Sequence, residues 1–434
     1  MVKDAFHGRA LRVAVIGSGP AGFYTAEELL RLDIRAEVDL YERLFAPYGL
    51  VRYGVAPDHQ KTKLVTKRYD KLANEEGFRF IGNVEIGVDI NFSTLREHYD
   101  AIVVTSGTES GGALGIPGED RQHSHHAFEF VNWYNGHPDH QHHRFNLQTH
   151  TAVIVGNGNV AIDVARILAK SEEELRDTDI PKSVLSMLTA SKIKEIRVVG
   201  RRGPVQASFT PKELKELGEL AECSTWIAPE ELDLNAASEA ELNDGDIRTR
   251  GIVDLFNGFA NAPGNGKNLR LQFHRSPIEI TESGVRLVKN ALQGEAGAQR
   301  AEATADVENL DAGLIISCIG YRAKTIEGLP FNDQRGVLLN DAGKVETGIY
   351  TAGWIKRGPS GLIGNNKKCA AESVKTLRTE LEVLPPCPKP FRPEINKRTI
   401  SYADWKRLDA EETAQGSPRK KVLSLEEAIE ILDR

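Results

Sequence analysis

The sequence predicts an α/β protein that contains two parallel-sheet units of the same construction. Two glycine-rich motifs each follow a short apolar segment and precede a segment that is typical of a helix. A strand, a tight loop and a helix in that order form the start of a βαβ unit, in which neighbouring strands are parallel. The length of 434 residues also accommodates two domains of ordinary size.

The first motif follows the strand predicted at 11–16, an apolar run that is too short for a helix. Its segment GSGPAG fits the pattern G-x-G-x-x-G and contains Gly17, Gly19, Pro20, Ala21 and Gly22. A helix is predicted next at 23–32 and a strand at 38–42, which ends in Glu42. Such a loop binds a pyrophosphate through backbone N–H groups at a helix N-terminus, and an acid about twenty residues on accepts hydrogen bonds from a ribose. The alternative is a glycine turn in an ordinary strand–helix unit.

The second motif follows the strand predicted at 151–155 and reads GNGNVA, with alanine in the third glycine position. A helix opens at Ile162, and after an insertion at 171–192 the next strand is predicted at 195–200. Arg201 and Arg202 follow that strand, where the first unit has an acid. Arginine at this position binds the 2′-phosphate of NADP, whereas an acid is typical of FAD or NAD sites. The alternative for the two arginines is a solvated loop end.

The rest of the chain is predicted to complete the sheets and to close with helices. We expect helices at 60–76, 210–217 and 365–382, strands at 78–87, 100–107, 312–320 and 348–354, antiparallel strands at 268–292, and loops at 123–143 and 233–250. The 210–217 helix has Thr210 as its cap, Pro211 in its first position and Glu213 to complete a capping box. A proline-rich linker at 385–390 precedes two further helices with boxes Ser401/Asp404 and Ser424/Glu427.

Composition argues against several classes of protein. A net charge of −7 argues against nucleic acid as the main partner, and no apolar run approaches the length of a membrane span. The first ten residues have no apolar signal-peptide core. The four cysteines form no C-x-x-C motif, so we expect free thiols and a cytoplasmic location. Seven of the twelve histidines lie at 123–143, where we expect a solvated loop rather than a metal site.

Five segments of the chain together resemble the NADPH:adrenodoxin/ferredoxin oxidoreductase family. They are GSGPAG, PYGLVRYGVAPDH, GNGNVAIDVAR, VGRRGP and GWIKRGPSGLIGNNK, in this order. FVNWYNGHPD is also similar to a segment of the family, and the resemblance runs through the whole chain. Asn365 and Cys369 depart from it, because the family often has Thr and Asp there, and the histidines after Pro138 are peculiar to this sequence.

The resemblance implies which residues hold two cofactors. It implies FAD contacts at Ala21, Glu42, Leu50, Ile86, Trp354, Gly361, Leu362 and Ile363. It implies NADP(H) contacts at Asn157, Gly158, Asn159, Val160, Arg201, Arg202, Glu213 and Gly361. It also places His59 and Glu216, the candidate catalytic residues, near the junction of nicotinamide and flavin. Other interpretations stay open: a solvent-exposed helix start for His59, a solvated helix face for Glu216, capping for Glu213 and core packing for Trp354.

The fold that the resemblance implies has two Rossmann-like dinucleotide-binding domains. An FAD domain spans 1–108 and 325–434, and an NADP domain is inserted at 109–324. The implied activity is hydride transfer from NADPH to FAD, followed by single-electron transfer to a ferredoxin-type iron–sulfur protein. Because the chain lacks a close cysteine pair, we expect electrons to leave the flavin directly. The alternatives are another NADPH-dependent flavoenzyme, such as an oxidase or monooxygenase, and a non-enzymatic flavin redox sensor.

An acidic iron–sulfur partner is expected to dock on basic residues. The candidate groups are Arg419, Lys420 and Lys421, and Arg248 with Arg250. The alternative for the first group is a solvated basic turn. We expect a monomer.

Overall fold

The computed structural model describes residues 6–389, 391–416 and 418–434. Residues 1–5, in which no targeting segment is expected, and Pro390 of the predicted linker lie outside the described residues. The chain divides into two units. Unit 1 comprises the residues up to Val55, His59–Ser110 and Gly320–Arg434, and unit 2 comprises Ala56–Asp58 and Gly111–Ile319.

Strands and helices alternate along both units. The strands are β1 (Leu11–Ile16), β2 (Ala36–Tyr41), β3 (Phe78–Ile81), β4 (Ala101–Val104), β5 (Ser110–Gly111), β6 (Ser124–His126), β7 (Thr151–Val155), β8 (Glu195–Val199), β9 (Cys223–Trp226), β10 (Lys267–Gln272), β11 (Arg275–Ile280), β12 (Gly284–Gln293), β13 (Arg300–Asp311), β14 (Leu314–Ser317), β15 (Tyr321–Arg322), β16 (Phe331–Asn332), β17 (Val337–Leu338), β18 (Lys344–Glu346) and β19 (Ile349–Thr351). The helices are α1 (Pro20–Leu30), α2 (Leu50–Tyr53), α3 (Gln60–Lys63), α4 (Thr66–Leu72), α5 (Phe92–His98), α6 (Ala127–Tyr134), α7 (Asn159–Ala169), α8 (Glu172–Leu175), α9 (Lys182–Thr189), α10 (Pro211–Glu216), α11 (Ala236–Asp244), α12 (Ile247–Gly258), α13 (Trp354–Arg357), α14 (Asn365–Thr379), α15 (Tyr402–Ala414) and α16 (Leu425–Leu432).

Unit 1 is built on a six-stranded sheet in the order β18-β19-β4-β1-β2-β3. Its strands are parallel except β18, which pairs antiparallel with β19. The central strand β1 is apolar and buried, because Val13 and Val15 point to one covered face and Ala14 to the other. Helix α1 returns over the sheet and packs against α14. The strand predicted at 11–16 is confirmed residue for residue.

Unit 2 is built on a six-stranded parallel sheet in the order β6-β14-β7-β8-β10-β9. A separate antiparallel sheet, β11-β12-β13, follows β10 in the chain. The predicted α/β fold with two parallel sheets is therefore confirmed. The prediction of antiparallel strands over 268–292 is wrong for its first part, because β10 pairs parallel with β8 and β9. Alternating polarity arises there because β10 lies near the edge of the sheet.

Several predicted elements differ from the structure. The 60–76 helix is split into α3 and α4, and the Thr66 hydroxyl donates to the Lys63 carbonyl oxygen at 3.0 Å at the break. The strand predicted at 78–87 ends at Ile81, so Ile86 lies in the following loop. The predicted loop at 233–250 instead forms α11 and the start of α12. Their N-caps are Asn235 and Asp246, which accept bonds from backbone N–H groups.

The terminal helices and the histidine-rich segment also bear on the predictions. The capping box Ser401/Asp404 is confirmed, whereas at α16 the Glu427 carboxylate binds the backbone N–H of Leu423 instead of that of Ser424. Residues 123–143 are not a simple solvated loop, because they contain β6, α6 and a short 3₁₀ turn. His126 caps α6 by accepting from the Phe128 N–H.

Candidate functional site

The first glycine loop joins β1 to α1 and has one crowded and one open side. Gly17 has a φ of +103°, and a Cβ there would lie 2.8 Å from the Ser106 Cα. A Cβ on Gly22 would lie 2.0 Å from the Gly17 carbonyl oxygen. Gly19 has an ordinary φ of −71°, and no heavy atom of the described protein lies within 4 Å of the point that a Cβ would occupy. Gly17 and Gly22 are thus required by packing, whereas Gly19 leaves space for a ligand.

The N-terminus of α1 is not capped by the protein. Gly19 is the N-cap residue and supplies no side-chain hydrogen bond, and Pro20 occupies the first position. The free N–H groups of the first turn therefore face the open side of the loop, an arrangement that binds phosphate. The loop fits the pyrophosphate of a dinucleotide.

Glu42 is held beside this loop. Its Oε2 accepts from the Ser18 N–H at 3.1 Å and from the Ser18 hydroxyl at 2.6 Å, and its Oε1 accepts from the Leu44 N–H at 3.0 Å. A carboxylate has about four acceptor positions, so it retains capacity for a ribose hydroxyl. The structure thus brings Glu42 to the loop, as a ribose-binding acid requires.

Two further predicted segments lie against the same loop. The Tyr48 N–H donates to the Ser18 carbonyl oxygen at 3.0 Å, and a Cβ on Gly49 would lie 2.9 Å from the Gly19 Cα. This contact places Leu50, the first residue of α2, next to the loop. A Cβ on Gly353 would lie 2.5 Å from the Ala21 Cβ, so Trp354 begins α13 beside α1.

Trp354 is held by its own loop rather than packed into the core. Its indole N–H donates to the Ser360 carbonyl oxygen at 3.2 Å, and its ring centroid lies 6.1 Å from that of Tyr321. Leu362 is 66% exposed, and its N–H donates to the Asn365 side chain at 2.8 Å. Gly361 has a φ of +79°, which suits glycine, and Ile363 packs on the core beneath.

Asn365 and Cys369, the two residues that differ from the family's usual ones, both contact this loop. Asn365 caps the Leu362 N–H, and the Cys369 sulfur accepts from the Gly353 N–H at 3.2 Å. Ile86 packs on the cluster that contains Ile16, the last residue of β1. The predicted FAD residues therefore lie in unit 1 at or after the carboxyl ends of its strands, where open α/β sheets bind ligands.

The second glycine loop joins β7 to α7 and has the same construction. Gly156 has a φ of +144°, and its Cβ would lie 3.1 Å from the Cys318 Cβ. Gly158 is the N-cap residue, supplies no side-chain cap, and has no heavy atom of the described protein within 4 Å of a Cβ position. Ala161 is fully buried in the third glycine position. This loop also presents an uncapped helix N-terminus to an open side, so it fits a second dinucleotide.

The segment before α10 lies against this second loop. The Ser208 N–H donates to the Asn157 carbonyl oxygen at 2.9 Å, and the Thr210 N–H donates to the Asn159 side chain at 2.8 Å. The predicted capping box of α10 is wrong, because the Thr210 side chain makes no cap bond. Its hydroxyl and one carboxylate oxygen of Glu213 are buried without a hydrogen-bond partner among the described residues. The Glu213 carboxylate therefore has acceptor capacity left for a ligand.

The arginine pair follows β8 at the same edge of the sheet. A Cβ on Gly200 would overlap the Asn157 side chain, so the end of β8 touches the glycine loop. The Asn290 amide donates to the Arg201 carbonyl oxygen at 2.8 Å, which fixes the backbone. The Arg201 side chain is exposed, and the Arg202 guanidinium donates to the Gln206 carbonyl oxygen at 3.3 Å. Neither arginine forms an ion pair with a described carboxylate, so both charges are available to a phosphate.

Arg166 is the centre of a buried ion cluster that was not predicted from the sequence. The Arg166 side chain is 1% exposed and binds both Asp58 oxygens, at 2.8 and 3.0 Å. It also lies 2.8 Å from Asp163 and 3.1 Å from Glu216, while Lys170 lies 2.9 Å from Asp58. Burial alone raises the pKa of Asp58, but Arg166 and Lys170 outweigh burial and hold this pKa well below its ordinary range.

The cluster anchors one of the two predicted catalytic residues. Glu216 is the last residue of α10 and is paired with Arg166, so the prediction of a merely solvated helix face does not describe it. His59 directly follows Asp58 and is the N-cap residue of α3, without a side-chain cap bond. The sequence signal for the cluster was an arginine three residues after Asp163 on the buried face of α7.

The described cysteines form no disulfide, and the described histidines belong to no metal-ligating group of three side chains. All four cysteines are free, and burial raises the pKa of Cys223 to about 12. No group of three metal-ligating side chains occurs in the ranges that the structure describes. The same ranges contain no helix that is both long and apolar enough to cross a membrane.

Most of the basic side chains in the turn at 419–421 are buried or paired with acidic residues of the same unit. Arg419 lies 2.7 Å from Asp409 and 3.0 Å from Glu412, and Lys421 is only 3% exposed. The expectation of a solvated turn at 419–421 is therefore wrong for Arg419 and Lys421, whereas Lys420 is exposed. Glu412 is fully buried and also binds Arg52 of α2, so the turn closes a structural ion cluster.

Comparison with known proteins identifies the family. Residues 11–216 match the pyridine nucleotide-disulphide oxidoreductase family. The chain is 39% identical to human NADPH:adrenodoxin oxidoreductase, with 97% of this chain and 92% of that protein covered. It is 38% identical to the NADPH-ferredoxin reductase FprA of Mycobacterium tuberculosis, with 98% and 99% covered. The solved structure of that FprA in complex with NADPH superimposes with a TM-score of 0.92 at 37% identity over 98% of this chain and all of that one. The chain therefore belongs to the NADPH:adrenodoxin/ferredoxin oxidoreductase family of FAD- and NADP(H)-dependent oxidoreductases.

Proposed function

We propose that this protein transfers electrons from NADPH through FAD to a ferredoxin-type iron–sulfur protein. The observation that carries the proposal is the pair of open glycine loops, one in each unit. Gly19 and Gly158 each leave space at an uncapped helix N-terminus, whereas the neighbouring glycines are tightly packed. One carboxylate and one arginine pair distinguish the two sites, so the two loops suit different dinucleotides.

The protein's own residues supply binding and orientation at both sites. In unit 1 the first turn of α1 binds the pyrophosphate of FAD, and Glu42 accepts from its ribose. When bound, FAD accepts a hydride from NADPH and releases electrons singly. In unit 2 the first turn of α7 binds the pyrophosphate of NADPH, and Glu213 has a buried oxygen left to accept from that nucleotide.

Arg201 and Arg202 read the 2′-phosphate of NADPH. Each guanidinium donates charge-assisted hydrogen bonds that contribute about 1.5–3 kcal/mol. Two such contacts support a preference for NADPH over NADH of roughly a hundredfold or more, because about 1.4 kcal/mol is tenfold. Solvent lowers this figure, since Arg201 is exposed.

The nucleotide preference is tested by measuring kcat/KM for both nucleotides. In Arg201→Ala/Arg202→Ala the value for NADPH should fall through a higher KM, while the value for NADH stays the same. The phosphate is remote from the transferred hydride and is held alike in ground and transition states, so kcat should change little. A double variant that discriminates as well as the wild type would show that the phosphate is bound elsewhere.

The acceptor is proposed to be an iron–sulfur protein rather than a disulfide. The relatives with about 38% identity are named adrenodoxin or ferredoxin reductases. The four cysteines of this chain are free, and burial raises the pKa of Cys223 and of Cys318, which makes both poor nucleophiles. Electrons then have no dithiol relay to pass through and leave the flavin directly.

The docking of this partner is proposed to depend on charge. Arg248 and Arg250 on α12 hydrogen-bond to backbone carbonyl oxygens, and neither forms an ion pair with a described carboxylate. Electron transfer to an acidic ferredoxin should slow as salt is added, because salt screens the attraction between the two proteins over about 8–10 Å. Arg248→Ala/Arg250→Ala should flatten that salt dependence, whereas Lys420→Ala at the other basic turn should not. A ferredoxin-dependent rate that is independent of ionic strength in the wild type would contradict electrostatic docking.

A further inference from the structure

A network of buried polar side chains lies behind the turn that carries Arg201 and Arg202. Gln206 is 9% exposed, Gln299 5% and Ser238 2%. The Gln206 amide nitrogen lies 2.8 Å from a Glu241 oxygen, 3.3 Å from the Ser238 hydroxyl and 3.4 Å from the Gln299 amide oxygen. Ser238 in turn donates to Gln299 at 2.8 Å. The network joins the turn after β8 to α11, the helix that occupies the position of a predicted loop.

Gln206 connects this network to an arginine through its own backbone. Its carbonyl oxygen accepts from the Arg202 guanidinium at 3.3 Å, while its side chain is fixed to Glu241 and Ser238. The turn between them is tightly packed, because a Cβ on Gly203 would lie 3.0 Å from the Gln206 amide oxygen. A movement of Gln206 would therefore be passed to the head group of Arg202.

The composition of the network favours orientation over simple packing. Buried polar side chains gain little stability over apolar ones of the same shape, but each of their hydrogen bonds requires one defined geometry. The Arg202 side chain has many rotamers, and the Gln206 carbonyl oxygen is the one hydrogen-bond acceptor that the described residues offer it. An arginine that is held before binding loses less conformational entropy when it meets a phosphate.

We propose that Gln206 is a positioning residue that lets α11 hold the Arg202 guanidinium ready for the 2′-phosphate of NADPH. The proposal rests on the proposed role of Arg201 and Arg202. It assigns a part in nucleotide specificity to α11, whose residues Ser238 and Glu241 do not need to contact the nucleotide themselves.

The test compares two nucleotide fragments in calorimetric binding to the FAD-loaded protein. Adenosine 2′,5′-bisphosphate carries the 2′-phosphate, and adenosine 5′-monophosphate lacks it. Gln206→Met keeps the length of the side chain and removes its hydrogen bonds. In this variant the Arg202 side chain is no longer held, so binding of the bisphosphate should weaken by roughly two- to tenfold while binding of the monophosphate stays the same.

Two partner variants and one control separate positioning from general damage. Glu241→Leu should reproduce the loss even if Gln206→Met folds poorly, because Glu241 is only partly buried. Glu241→Gln retains an acceptor oxygen for the Gln206 amide and should bind the bisphosphate as well as the wild type does. Thr178→Val removes a buried hydroxyl bond to the Leu175 carbonyl oxygen in the same unit and should affect neither fragment.

Three outcomes would overturn the inference. Wild-type affinity for the bisphosphate in both Gln206→Met and Glu241→Leu would show that the network does not position Arg202. An equal loss for both fragments, or an equal loss in Thr178→Val, would show a general structural effect. A wild-type protein that binds both fragments equally would instead contradict the arginine assignment itself, and this inference with it.

Discussion

Two alanine substitutions in one glycine loop should have opposite consequences. Gly158→Ala adds a methyl group to a residue with φ of −128°, where no heavy atom of the described protein lies within 4 Å. Gly156→Ala adds the same group two residues earlier, at φ of +144° and 3.1 Å from the Cys318 Cβ. The first substitution should weaken nucleotide binding and spare the fold, and the second should destabilise the fold.

The magnitudes follow from the local geometry. At Gly158, alanine restricts the unfolded chain and so adds about 0.4–1 kcal/mol of stability. Alanine is also a poor N-cap, which removes a similar amount, so the net change in stability is near zero. At Gly156, a non-glycine residue in this conformation costs about 1–3 kcal/mol, which lowers the Tm of a domain of this size by roughly 2–12 °C. A methyl group between Gly158 and a pyrophosphate lengthens charge-assisted bonds, and each lost bond weakens binding about tenfold or more.

Both quantities are measured on the FAD-loaded protein, by thermal unfolding without nucleotide and by titration with NADP⁺. The expected result for Gly158→Ala is an unchanged Tm with at least about tenfold weaker NADP⁺ binding. Wild-type NADP⁺ affinity in this variant would refute the reasoning, because the open side of the loop would then not be the nucleotide site.

Three further predictions concern named side chains. His59→Gln and Glu216→Ala should each slow flavin reduction in stopped-flow experiments by less than about a hundredfold, because hydride transfer needs no general base; unchanged rates in both would exclude a role. Asp58→Asn should lower the free energy of unfolding by about 1.5–3 kcal/mol near pH 7, because it removes the carboxylate that binds Arg166 through both oxygens while Asp163 and Glu216 stay beside this buried arginine. The Asp58 pKa is lower in the folded state than in the unfolded state. The contribution of Asp58 to stability is therefore complete above about pH 4 and declines as the pH falls further. Urea unfolding should accordingly show the stabilities of wild type and variant converging below about pH 4. Glu412→Gln should lower the free energy of unfolding by about 3–5 kcal/mol in urea unfolding, because it takes away the carboxylate that binds the buried Arg52, and a variant as stable as wild type would contradict a structural role for that ion cluster.

The features that sequence analysis predicted well are those that depend on local geometry. Gly17 needs its positive φ and Gly22 lies against the Gly17 carbonyl oxygen, so a glycine pattern after a buried strand is sufficient to identify the loop. The strands at 11–16 and 151–155 are apolar runs of the right length, and both occur with the predicted bounds.

The features that were missed depend on contacts between residues distant in sequence. Arg166 pairs with Asp58 more than a hundred residues away, and no local pattern specifies such a pair. Helix α11 is polar because one side faces solvent while Ser238 binds the glutamine network, so its composition is typical of a loop. The N-cap Asn235 was the available signal for α11, as Asp246 was for α12, and apolar periodicity was the wrong criterion for α11.

Electron delivery from NADPH to an iron–sulfur protein can be measured directly in one rapid-mixing experiment. The FAD-loaded protein is reduced with NADPH and mixed with a small acidic ferredoxin, and reoxidation of the flavin is followed together with reduction of the cluster; a parallel sample is mixed with oxygen. We expect two reduced one-electron clusters for each NADPH, and we expect ferredoxin to reoxidise the flavin faster than oxygen does. Flavin that is reoxidised by oxygen but leaves every ferredoxin tested oxidised would contradict electron delivery to a ferredoxin and indicate an oxidase or monooxygenase.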